Sequence, residues 1–182
     1  MNRIVLFIAL SVPLIIISRR SLNKPGTHGF YRFLCWECIL WLLVSNYTFW
    51  FNNPFSFQQI ISWFCLILSG YYVIAGALLI KRTGKPKPHR SDNTLYTFEE
   101  TTELIDKGIF KYIRHPLYSS LIFLTWGIVL KNITNALLII ALLSTLFMYV
   151  SAIMDERECT KYFGGRYLEY MKKTKRFIPF IL

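Results

Sequence analysis

Four side chains in the second half of this 182-residue chain are of types that do chemistry together: Arg114, His115, Asp155 and Glu156. Arg114-His115-Pro116-Leu117-Tyr118 ends a long polar stretch and opens an apolar one. Proline in the first turn of a helix gives up only an N–H that has no intrahelical partner there, so Pro116 predicts a helix start with His115 at its cap. Asp155-Glu156 closes a second apolar run. If the two runs form a helical hairpin, the start of one lies beside the end of the other. A cation, an imidazole and two carboxylates then converge on one pocket, a set able to hold a ligand of mixed charge or to pass a proton through the imidazole. The plain alternative is a group of helix-end charges at an interface.

The elements that position these residues are membrane helices. With 54% hydrophobic and 17% aromatic residues, the chain is too apolar for an ordinary soluble domain. Apolar runs fall at Ile4 to Ser18, Phe33 to Phe51, Ile60 to Ile80, Leu117 to Leu130 and Asn135 to Met154. The first and fourth are short against the ~20 residues that a full span requires. Five crossings would place all lysines and arginines except Arg3 and Lys131 on one side, out of 21. The positive-inside rule then predicts the N-terminus outside and the C-terminus in the cytoplasm, of a bacterial inner membrane or an endoplasmic reticulum. Trp50, Trp63 and Trp126 fall at the outer ends of their helices, as an interfacial belt would place them. The net charge of +11 is thus accounted for by topology, and nucleic acid is not an expected partner.

Other candidates carry less. Cys35, Cys38, Cys65 and Cys159 form no zinc-type spacing, and no metal site is expected. Glu37 is the single acidic residue within a span and is read as reaching toward Arg32 or water; His28 is read as a loop residue. Asn46-Tyr47-Thr48 and Asn132-Ile133-Thr134 match the glycosylation sequon by chance, one inside a span and one in a membrane-pressed turn. The basic stretch Lys81 to Arg90 reads as a segment lying on anionic lipid. Thr94 to Ile113 is polar, with Leu104, Ile105, Ile109 and Phe110 as apolar anchors and Gly108 as a turn, and is too long for a bare connection. Beyond Met154 the helix runs on as Asp155-Glu156-Arg157-Glu158. Cys159, Tyr162, Phe163, Tyr170 and Met171 then predict an apolar stripe on an interfacial helix, interrupted at Gly164-Gly165. No strand–helix alternation and no GxGxxG occur, which excludes a Rossmann-type cofactor domain.

Gly108-Ile109-Phe110, Arg114-His115-Pro116-Leu117-Tyr118, Asp155-Glu156, Phe163-Gly164-Gly165-Arg166-Tyr167-Leu168-Glu169-Tyr170 and Phe177-Ile178-Pro179 occur in order over the last 80 or so residues. In this the chain resembles the isoprenylcysteine carboxyl methyltransferase and phospholipid methyltransferase superfamily. The resemblance implies S-adenosylmethionine as cofactor, bound without a Rossmann domain. It assigns cofactor contacts to Leu104 and Ile105 with Thr102 and Glu103 ahead of them, to Phe110, to His115, Pro116, Leu117 and Tyr118, and to Asp155 and Glu156, while Arg114 is a candidate for the cofactor's carboxylate by its own chemistry. His115 is the candidate catalytic residue. Eukaryotic prenylcysteine enzymes of this superfamily carry an arginine four residues before the first acidic position; here that place is Ser151. The usual Glu-Glu pair is Asp-Glu.

The expectation is therefore an all-α, polytopic integral membrane protein of about five transmembrane helices, with a cytoplasmic cofactor pocket and a C-terminal interfacial helix. It forms a single membrane domain over 1–182, with three spans and a basic loop in 1–90 and the cofactor loop, hairpin and tail helix in 91–182. The expected activity is methyl transfer to a lipophilic acceptor, a prenylcysteine-like carboxylate or a phospholipid amine, entering from the lipid bilayer. The rivals are an NADPH-dependent membrane reductase of the sterol or steroid type and a non-catalytic scaffold. The carboxylate pair fits a cationic cofactor better than a phosphorylated one.

Overall fold

The computed structural model describes residues 2–84 and 101–180, and no strand occurs among them. The calls on the basic stretch beyond Gly84, and on the polar stretch before Thr101, lie outside these residues. Six α-helices follow in order: α1 (Arg3–Leu22), α2 (His28–Asn46), α3 (Phe57–Thr83), α4 (Pro116–Val129), α5 (Asn135–Phe163) and α6 (Gly165–Lys173), with short 3-10 turns at Tyr47–Phe49 and Gly108–Lys111.

Their starts follow local chemistry. Asn2, Ser56 and Thr134 each accept from a backbone N–H of the first turn, at 3.1, 3.4 and 3.3 Å, which pairs donors that have no intrahelical partner. Their surfaces are turned out toward lipid. On α1 the buried side chains are Ser11, Ser18 and Ser21, while Ile4, Val5, Ile8, Ile16 and Ile17 are exposed. Small polar residues let helices approach closely in a bilayer, and the large apolar ones meet acyl chains. The chain is an integral membrane protein.

Helices α1, α3 and α5 are long and apolar enough to cross a membrane. The first run, short as a stretch of sequence, becomes a 20-residue helix because Arg19, Arg20 and Leu22 continue it. The fourth stays short: 14 residues span about 21 Å, against ~30 Å of hydrocarbon. Helix α2 ends at Asn46 rather than Phe51, and His28, Arg32 and Glu37 dilute its hydropathy. These two helices are the ones packed inward, α2 on α5 and α4 on α3. The α3–α4 seam is close because it uses glycine. A Cβ on Gly127 would stand 2.7 Å from Leu66 Cδ2, and one on Gly76 would stand 3.2 Å from Pro116 Cγ.

The core runs through α2, α4 and α5, with Leu42, Ile128, Val129, Ala141, Met148 and Ala152 essentially solvent-free. Glu37 turns toward α1 rather than Arg32 or water, accepting from the Ser11 hydroxyl at 2.7 Å. At about 1.5 Å per residue the 29-residue α5 is ~43 Å long, so it outruns the hydrocarbon and carries its acidic end clear of it.

Candidate functional site

The long end of α5, the start of α4, the segment 101–115 and α6 enclose an open cleft of about 120 Å³. His115 stands at the N-cap of α4, as Pro116 at the first helical position predicts, and stacks on Tyr118 with ring centroids 5.1 Å apart. Its two ring nitrogens face two carboxylates, Nδ1 at 3.5 Å from Asp155 and Nε2 at 3.4 Å from Glu156. Burial opposes protonation of this imidazole, but the hydrogen bonds and charges of Asp155 and Glu156 outweigh it and hold its pKa above the ordinary value. The geometry suits a ring carrying both protons.

The hairpin brings Asp155 and Glu156 together with Arg114 and His115, but the two acids face differently. Asp155 lines the cleft. Glu156 is not among the lining residues and is spent on cations: Arg114 Nε donates to it at 2.9 Å, and Arg176 donates through Nε at 3.0 Å and Nη2 at 2.7 Å. Arg114 is anchored further by the carbonyls of Met171 and Thr174. Glu103, Leu104, Ile105, Phe110, Pro116, Leu117 and Tyr118 also line the cleft. Thr102 does not; its N–H ties the segment to the end of α3 through Gly84 O at 3.1 Å.

Several lining residues escape sequence reasoning. Cys159, Phe163, Tyr167 and Tyr170 turn onto the cleft from the end of α5 and from α6. The apolar stripe expected on an interfacial helix is thus divided: Tyr170 is buried, while Tyr162 is exposed. The cause is the turn at Gly164, whose φ of +60° is open to glycine and folds α6 back beside α5. The i, i+3 spacing of Tyr167 and Tyr170 was the available signal. Tyr170 donates to Phe110 O at 2.6 Å, and burial pushes both phenols up, so they present neutral aromatic faces.

Arg176 was missed because it lies in what reads as a tail. That tail is threaded into the site: Arg114 and His115 N–H groups donate to the carbonyls of Lys175 and Arg176 at 2.8 and 3.2 Å, and Ser119 donates to Phe177 O at 2.8 Å. His28 is a further correction. It is the first residue of α2 rather than a loop residue, fully buried, with Nδ1 2.5 Å from Glu158. Burial opposes its protonation, but Glu158 and Asp155 raise its pKa above the ordinary value. Ser151, at the place of the arginine in eukaryotic prenylcysteine enzymes, donates to His28 O at 2.8 Å and is buried.

Beyond Tyr118 and Phe177, at membrane depth, a second cavity of about 350 Å³ is lined by Cys65, Ser119, Ile122, Phe123, Trp126, Thr145, Tyr149, Phe177 and Ile178. It is almost wholly apolar. The cleft therefore has an aromatic wall, two carboxylates, Glu103 and Asp155, and two nearby guanidiniums, with a greasy chamber behind it. Aromatic faces and a carboxylate hold an organic cation, and guanidinium or imidazole N–H groups hold a carboxylate.

Residues 65–166, which run from α3 into α6 and contain most of the cleft, match the model of a family described as phospholipid methyltransferase. Methanethiol S-methyltransferase 1 of Bradyrhizobium diazoefficiens is 28% identical over 71 residues, 39% of this chain and 24% of that protein. Methanethiol S-methyltransferase of Pseudomonas deceptionensis is 27% identical over 71 residues, 39% of this chain and 26% of that protein. The protein of the same name from Crocosphaera subtropica is 29% identical over 74 residues, 41% of this chain and 28% of that protein. The chain thus spans about a quarter of the length of these curated relatives. No solved structure matches.

Proposed function

The chain belongs to the phospholipid methyltransferase family, and from that premise we propose that it moves a methyl group from S-adenosylmethionine to a lipophilic acceptor. The observation that carries this reading is the character of the cleft wall: Asp155 beside Phe110, Tyr118, Phe163, Tyr167 and Tyr170. That donor set fits the cofactor's chemistry, which combines an ammonium, a sulfonium and a carboxylate. When bound, S-adenosylmethionine supplies a methyl group on positively charged sulfur.

Asp155 is assigned to the ammonium, the aromatic faces to the sulfonium, and Arg114 with His115 to the carboxylate. Leu104, Ile105 and Leu117 supply apolar walls, which exclude water and raise the strength of every charge contact inside. His115 is assigned to holding rather than to proton removal, because the two carboxylates favour its protonated form. Glu156 fixes the two arginines and acts on the cleft through them. The apolar cavity at membrane depth is assigned to the acceptor's hydrophobic part. The acceptors under this reading are a prenylcysteine-like carboxylate, a phospholipid amine or, following the relatives' names, a thiol. The accompanying topology is five crossings with the N-terminus outside and the cleft in the cytoplasm.

Titration calorimetry of the detergent-purified protein with S-adenosylhomocysteine and with NADPH tests the proposal, with Asp155→Asn beside it. The expected result is binding of S-adenosylhomocysteine, weakened in the variant by about a hundredfold, as loss of a desolvated charge partner would give. Binding of NADPH alone would move the protein to the reductases, and binding of neither would support a scaffold.

A further inference from the structure

Among the described residues, the cavity behind the cleft is lined by no charged side chain, and one cation reaches its wall. The Arg176 guanidinium lies 5.0 Å from the ring centroid of Tyr149, which lines the cavity, and the next residues, Phe177 and Ile178, line it as well. Phe177 in turn stands between the chamber and the catalytic mouth, with its ring 6.2 Å from both His115 and Tyr149. Arg176 lines neither cavity itself and lies between them, joined to the chamber's wall through Tyr149 and to the cleft side through Glu156.

Its pairing leaves it able to recognise a ligand. A guanidinium carries five N–H groups, and two of those on Arg176 are given to Glu156. Glu156 also takes Arg114, so this one carboxylate is shared between two guanidiniums and the His115 ring. The local balance runs to positive charge at the junction. An acceptor with a cationic head would meet Arg176 with no lining carboxylate to receive it. One with an oxyanion head would meet a planar donor whose geometry matches carboxylate and phosphate alike.

Resting on the methyltransferase reading above, we propose that Arg176 selects the acceptor. It holds an oxyanion, carboxylate or phosphate, at the junction, while the acceptor's single apolar chain fills the cavity lined by Ile122, Phe123 and Trp126. A carboxylate held there is itself the nucleophile and has no proton to lose. A phosphate held there positions a nucleophile carried elsewhere on the acceptor.

Trp126 provides the readout, since it lines the cavity. Brominated dodecanoate is titrated into the full-length protein in maltoside micelles, and the tryptophan quenching is then displaced with dodecanoate, dodecyl phosphate, dodecanol or dodecylamine. The expected result is that the displaceable part of the quenching disappears in Trp126→Phe, and that one or both oxyanions displace it at concentrations at least about tenfold below those for the amine and the alcohol. Which oxyanion displaces best separates a carboxylate acceptor from a phosphate-bearing one. Arg176→Gln should erase the preference and Arg176→Lys should keep part of it, with the lysine variant guarding against simple loss of fold. Equal displacement by dodecylamine, a preference that survives Arg176→Gln, or displaceable quenching that survives Trp126→Phe would overturn the proposal. S-adenosylhomocysteine is titrated into the same samples. Its failure to bind would withdraw the methyl-donor reading and leave the oxyanion preference standing, so the two failures are distinct.

Discussion

The two ends of the α4–α5 hairpin each bury a cation, and they do so in opposite ways. At the short turn, Lys131 is 3% exposed, its Nζ 3.5 Å from the ring centroid of Trp63 and 5.3 Å from that of Trp50, with Gln59 Oε1 accepting at 3.0 Å. Gln59 also donates to Lys131 O, and Gln58 to Leu130 O. All of these partners are neutral, so burial lowers the Lys131 pKa. At the open end, Arg114, His115 and Arg176 meet Asp155 and Glu156, and the carboxylates raise the pKa of His115 despite burial. A cation enclosed by dipoles and aromatic faces is a clasp, complete without a ligand. A group of ionised partners beside an open cleft leaves carboxylates on the wall, and under the proposed reading that asymmetry is what a charged cofactor would use.

The sharpest way to break the comparison is at Glu156, whose side chain is 6% exposed and serves two arginines. Glu156→Ala leaves both guanidiniums without their partner in a buried setting, and thermal melting in micelles should show a loss of about 3–5 kcal/mol. Asp155→Asn should cost about 2–3 kcal/mol of S-adenosylhomocysteine affinity with a smaller change in melting, because Asp155 lines the cleft. If the two variants behave alike, the division of labour between neighbouring acids is wrong. Lys131→Met should lower stability by about 1–2 kcal/mol, through the lost aromatic and Gln59 contacts, and leave S-adenosylhomocysteine affinity unchanged. A change in affinity there would mean that the two ends communicate.

The smallest expected effect is on pH dependence. The folded-state pKa of His115 lies above its unfolded value of about 6.5. Its contribution to stability is therefore complete below that value and is lost as pH rises through the raised one. The difference in melting temperature between the parent and His115→Gln should shrink with rising pH across this window. A difference that stays level would mean that the ring is neutral in the fold.

Much of the site was legible because it rests on local rules. Pro116 marks a helix start and so places His115 at a cap, and two apolar runs with a short turn between them must pair end to end, which joins His115 to Asp155 across the hairpin. Glu156 shows where this reasoning ends. Adjacent acids on a helix point in directions about 100° apart, and which one meets the ligand depends on where the partners stand. The partner that settles it, Arg176, lies 20 residues away in a segment without regular structure. His28 was misjudged for the same reason: a polar residue after a Pro-Gly turn reads as loop until Glu158 is found beside it.

Taken alone, the sequence determined that this is a helical membrane protein, which of its runs are apolar, where α4 begins, and that one acidic pair closes the hairpin. Those features follow from hydropathy, proline stereochemistry and chain connectivity, each of which acts over a few neighbouring residues. Only the tertiary structure decided that Tyr167 and Tyr170 face the cleft, that Glu156 is spent on two arginines while Asp155 lines the wall, and that the tail is part of the site. Each of these depends on a contact between residues distant in sequence, set by a turn at Gly164 and by backbone hydrogen bonds to Lys175 and Arg176, and no local periodicity encodes such contacts.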